Sequence, residues 1–130
     1  MDLNRTPAEI ARNAAEEIRA LNHVTLNTKA YETAPAVSEV VSALVTLVER
    51  MPQALQQAEA GLEALYDRDQ IRLAGPDSSQ KALAEAVSTV TVSLEYVRND
   101  LDGVLRELKA AAGPLSNMGG PWPDEDDDEA

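Results

Sequence analysis

The sequence predicts an all-α protein. It reads as an antiparallel helical bundle, in which two long heptad-patterned helices form a hairpin. A shorter N-terminal helix precedes them and a disordered acidic C-terminal tail follows. Three observations carry this. Apolar residues recur at alternating spacings of three and four through two long stretches, the pattern of helices packed lengthwise. The apolar supply is aliphatic, with no Phe, one Trp and three Tyr, which favours helix-on-helix packing over an aromatic sheet core. Gly-Pro pairs punctuate the chain where the pattern stops. The bundle is expected over residues 1–112, with helices at about 7–24, 36–66 and 78–111, and the tail over 113–130.

The first helix is announced by Thr6-Pro7-Ala8-Glu9, a capping box with proline at the first helical position. Ile10, Ala14, Ile18 and Leu21 then share one face, while Arg12, Glu16 and Arg19 lie off it. Residues 25–35, TLNTKAYETAP, are polar and read as a connector. The second helix begins around Pro35 or Ala36. Its seam is Val37, Val41, Leu44, Val48, Met51, Leu55, Ala58, Leu62 and Leu65. Residues 67–77, DRDQIRLAGPD, break the pattern, and Asp77 is the expected cap of the third helix, with Gln80 three residues on. The third seam is Leu83, Val87, Val90, Leu94, Val97, Leu101, Val104 and Leu108, ended by Gly113-Pro114. The β-branched run VSTVTVSL at 87–94 resembles a strand locally. The seven-residue register runs through it unbroken, so a helix is expected there.

Pro52 lies inside the second seam without disturbing its count, although proline in a helix interior costs about 3 kcal/mol. The expectation is a kink or a restart, with Pro52 in the first turn of a new segment. Val40, Val45 and Leu47 widen the apolar stripe before it. That suits a first helix lying along residues 37–51 and facing roughly 94–108, so Pro52 would sit near the point where three helices become two. The two-helix arm beyond it leaves apolar edges. Self-association as a homodimer would cover them, with Met51, Leu55, Leu62, Leu65, Leu83, Val92 and Tyr96 as the residues involved. The connector or the tail folding back is the other way to cover them.

Composition narrows the function classes. The chain has no Cys, which excludes disulfides and thiolate metal sites. It starts without a basic stretch followed by an apolar one, so no secretory signal is expected, and no run is long enough to span a membrane. A cytoplasmic protein is the resulting expectation. Net charge is −12, of which DEDDDEA at residues 124–130 supplies six acidic groups, so residues 1–123 carry about −6. Such a surface repels phosphates, which argues against direct nucleic-acid or membrane binding and suits a basic protein partner. The single His23 reads as a helix C-terminal residue. There is no second His, no metal-ligand spacing and no phosphate loop after a strand, so no catalytic, cofactor-binding or metal-binding residue is assigned.

Two short stretches are candidates for recognition. Pro121-Trp122-Pro123 sets the one Trp in a stiff segment before Asp124, Glu125, Asp126, Asp127, Asp128 and Glu129. A peptide of that form can seat its indole in a groove while the acids meet a basic rim. Tyr96-Val97-Arg98-Asn99-Asp100 has the Tyr-x-x-x-Asp form and resembles the export signal of type VII secretion substrates. It lies mid-helix, however, and the Trp-x-Gly turn of that family is missing from residues 67–77.

A broader likeness covers roughly residues 8–110. AAEEIRALNHVTL at 14–26, with VSALVTLVERMPQALQQAEAGLEAL at 41–65, resembles small, largely uncharacterised actinobacterial helical proteins, some associated with mobile elements. These share an Ile-Arg-x-Leu-Asn-His stretch and a later Leu-Pro-Gln-Ala-Leu stretch, and Met51 stands here where they usually have Leu. The resemblance implies that His23 and Pro52 belong to a common scaffold, and it carries no activity. The reading that follows is a non-enzymatic structural or adaptor protein, binding another protein through its helical arm or acidic tail. A phage or mobile-element virion or assembly component is the alternative. An exported helical hairpin is a weaker alternative, and so is an acidic nucleic-acid mimic, because the acids of residues 1–123 are interleaved with Arg.

Overall fold

The structure, a computed structural model, describes residues 1–121. Those residues form three α-helices and a short 3-10 turn, with no strand among them: α1, Pro7–Val24; the turn, Thr28–Ala30; α2, Ala34–Asp67; and α3, Gln80–Leu115. The chain divides into two compact units, with Met1–Val37 in the first and Ser38–Met118 in the second. Trp122 and the acidic residues 124–129 lie outside the described residues.

In the first unit the capping box closes as its residues require. The Thr6 hydroxyl accepts from the Glu9 amide at 3.2 Å, and the Glu9 carboxylate accepts from the Thr6 amide at 3.1 Å. At the other end the Leu21 carbonyl accepts from both the Thr25 amide at 3.0 Å and the Thr25 hydroxyl at 2.7 Å. His23 sits in this last turn, exposed.

The second unit is the hairpin of α2 and α3. Two ion pairs set its register, Glu59 with Arg98 and Glu49 with Lys109 at 3.1 Å. Each pairs a residue of α2 with one of α3 so that the chain runs in opposite directions at constant offset. By that offset Val48 is level with Leu108, Leu55 with Leu101, and Leu62 with Leu94. These aliphatic layers, half-buried, alternate with Pro52 level with Leu105, Glu59 with Arg98, and Tyr66 with Thr91, also half-buried.

This arrangement corrects the expected seam. In heptad terms the sequence pattern places positions a and d between the helices. The a rows (Val41, Val48, Leu55, Leu62 and Val87, Leu94, Leu101, Leu108) do turn inward. Their companions are the e rows, Val45, Pro52, Glu59, Tyr66 and Thr91, Arg98, Leu105, Ala112. The d residues Val90, Val97 and Val104 stay 43, 42 and 47 % exposed, and Met51 and Leu65 stay 37 and 40 % exposed. The Glu59–Arg98 pair can close only when the two e rows face each other.

Pro52 is therefore a residue of the helix–helix seam. No new segment starts there, because α2 is continuous from Ala34 to Asp67. The ring lies level with Leu105, and the aliphatic layers on either side hold the register across it. The Val48 carbonyl loses its usual amide donor, since proline has none. Pro52→Ala restores that bond and gives up only part of the ring's apolar contact. We expect it to raise hairpin stability by about 1–2 kcal/mol in urea unfolding. A loss of stability would mean that the ring's fit against α3 outweighs the missing hydrogen bond.

The helix ends differ from expectation in two places. The cap of α3 is Ser79, whose hydroxyl accepts from the Ala82 amide at 3.1 Å. Asp77 instead accepts from the Ser79 amide at 3.2 Å, an Asx turn that delivers the chain to the cap. The far end of α3 passes Gly113-Pro114 and stops at Leu115. The residue before a proline is driven out of helical conformation chiefly by its Cβ, and Gly113 has none. Ser116 then closes the turn, its hydroxyl donating to the Gly113 carbonyl at 2.6 Å. α2 ends in a Schellman motif, with Asp69 at φ 55°, its amide bonded to the Tyr66 carbonyl and the Gln70 amide to that of Leu65.

By the same register Asp67 is level with residue 90, so the first turns of α3 run beyond α2. Only the connector of residues 68–79 is at their level within the hairpin. Its Ile71 and Leu73 are half-buried, and Leu83, at 8 % exposure, is the one buried side chain among the described residues. The connector turns at Gly75, whose φ of +117° suits glycine.

Candidate protein-interaction face

The rotation of the seam leaves an exposed aliphatic strip on one side of the hairpin and polar rows on the other. At 3.6 residues per turn the d rows lie about 80° from the direction of the partner helix. Because the helices are antiparallel, these offsets turn to the same side. Met51, Ala58 and Leu65 of α2 thus share a face with Val90, Val97 and Val104 of α3. Ala54 and Gly61 continue that face on α2, exposed, and the matching row on α3 is Ser93, Asp100 and Glu107, so the face is apolar along its middle and acidic at its α3 margin. The opposite side carries Glu49, Gln56 and Glu63 against Glu95, Asp102 and Lys109.

The residues expected to mediate self-association separate accordingly. Met51 and Leu65 lie on the apolar face. Leu55 and Leu62 are half-buried within the hairpin. Leu83 is 8 % exposed, so little of it is accessible to a partner. Val92 and Tyr96, 46 and 66 % exposed, point away from α2 and line a shallow depression with Glu95 and Asn99 on one face of α3 alone. The sequence pattern missed Val90, Val97 and Val104 as surface residues. The signal available was that α3 places valine at each of these positions while Leu94, Leu101 and Leu108 hold the intervening ones.

In the first unit a shallow groove is lined by Glu16, Arg19, Ala20, Asn22, His23 and Leu26. Its Glu16–Arg19 pair, at 3.4 Å, is exposed at the surface and contributes little. Among the described residues no group of three or more His, Cys, Asp or Glu is placed to hold a metal ion. No helix there is long and apolar enough to cross a membrane.

The chain matches no protein-family model, and neither a curated protein nor a solved structure is significantly similar to it.

Proposed function

We propose that this is a non-enzymatic structural or adaptor protein that works by binding protein through its helical arm. The observation that supports it is the exposed row Val90, Val97 and Val104 beside Met51 and Leu65, an apolar strip of the kind that marks protein contact. The acidic segment 124–129 adds charge suited to a basic partner, with Trp122 as an anchor beside it. The likeness of residues 14–26 and 41–65 to mobile-element proteins supports a second setting, a subunit of a phage or element assembly in which neighbouring subunits would cover the arm.

The test compares the full chain, its Val97→Glu variant and residues 1–118, which keep all of α3 and its cap, as immobilised baits, with captured proteins identified by mass spectrometry. The expected result is one partner retained by the full chain, lost on Val97→Glu at unchanged helicity, and held less tightly without the tail. A partner profile indifferent to both changes overturns the reading.

A further inference from the structure

We propose that the apolar face of the hairpin is covered by a second copy of this chain. The two hairpins stack face to face about a two-fold axis parallel to the helices, giving an antiparallel four-helix arrangement. The inference rests on the proposed arm-mediated binding and names its occupant.

The argument begins with register. In this symmetry α2 of one protomer lies over α3 of its partner, and an axis parallel to the helices permits no sliding. The levels are therefore those already set within one chain by Glu59–Arg98 and Glu49–Lys109. Val104 then arrives between Met51 and Ala54 of the facing α2, and Val97 arrives between Ala58 and Gly61. Val97 thus meets only the small Ala58 and Gly61, which allows the backbones to approach closely there. Gly61 leaves open space beside it, as Gly103 does on α3.

Charge selects the same arrangement. The outer edge of α2 presents Arg50, Gln57 and Ala64 at successive heptads, and the margin of the same face on α3, the row that corresponds to Ala54 and Gly61, carries Ser93, Asp100 and Glu107. None of the charged residues among these is in an ion pair with a described residue. At the fixed register Arg50 is level with Glu107 of the second copy, and Gln57 with its Asp100. The other two-fold stacking, α3 on α3, would bring Asp100 and Glu107 toward the same carboxylates of the copy. The footprint also suffices. From Arg50 to Asp67 the paired helices are about 27 Å long and about 20 Å wide. Two such faces amount to about 1,100 Å², just above what a specific interface needs, so micromolar affinity is expected.

The experiment is absolute mass by light scattering on the full chain across about 1–500 µM, at about 0.15 M salt so that net repulsion between the copies is screened. The expected result is a monomer–dimer equilibrium. Val97→Glu, at a position already 42 % exposed, should weaken it at least tenfold with helicity unchanged. Arg50→Glu should weaken it several-fold, and Arg50→Glu with Glu107→Arg should restore it. A monomer at every concentration overturns the proposal, as does a dimer indifferent to Val97→Glu. Failure of the exchanged pair to restore association overturns the parallel-axis arrangement. A monomer that still captures a partner through the arm separates the two readings: the dimer falls and the adaptor stands. A dimer with no captured partner does the reverse.

Discussion

Replacing Leu83 by alanine should lower the stability of the hairpin by about 3 kcal/mol, the range found when a buried leucine is truncated and its cavity cannot collapse. Leu83 is the one buried side chain among the described residues. The first turns of α3 have no level partner on α2, and the connector, with half-buried Ile71 and Leu73, is the segment of the hairpin at their level. Thermal unfolding followed by circular dichroism should show a fall in midpoint on the order of 15 °C. Leu65→Ala is the control. At 40 % exposure Leu65 has little cavity to leave, and about 1 kcal/mol is expected. Equal losses at the two sites would show that the connector does not enclose Leu83. In a double substitution with Ile71→Ala, a loss smaller than the sum of the single losses would place the two residues in one cluster.

Removing either member of the Glu59–Arg98 pair should cost about 2 kcal/mol, whereas removing both should cost almost nothing. The side chains are 16 and 23 % exposed, so each carries a charge drawn well out of water. Arg98→Leu strands the Glu59 carboxylate in the seam, and Glu59→Leu strands the guanidinium, each an unpaired charge that the single substitution leaves behind. With both positions leucine, the layer joins the aliphatic layers Leu55–Leu101 and Leu62–Leu94 on either side. Urea denaturation of the four proteins of this cycle measures the coupling directly. Additive losses would mean that the pair is solvated and contributes no more than a surface bridge. The exposed Lys109–Glu49 pair, with side chains 57 and 44 % exposed, should show that weaker behaviour.

Much of the fold was legible because its signals are local. The capping box at Thr6–Glu9 needs four consecutive residues, and it forms as written. The helical register of residues 83–108 overrides the β-branched run at 87–94 because a pattern sustained over several turns outweighs short-range propensity. The cap at Ser79 was misassigned to Asp77 because both are good capping types two residues apart, and only the Asx turn between them decides which one caps. The end of α3 was misplaced for a related reason: Gly-Pro is a strong stop signal, but glycine removes the Cβ that makes it one.

The interaction face was only half legible. Met51 and Leu65 stand in the expected seam and among the residues expected to self-associate, whereas Val90, Val97 and Val104 stand in the expected seam alone. Sequence by itself determined that α2 and α3 are long helices, that they lie antiparallel, and that the a row faces inward, since each follows from spacing and connector length. Tertiary structure alone decided which flank of that row is turned in with it. The apolar stripe is wider than a single neighbouring helix can cover, so one flank must be left out. The choice of the e flank is held by an ion pair between residues 59 and 98, too far apart in the chain for any local pattern to join.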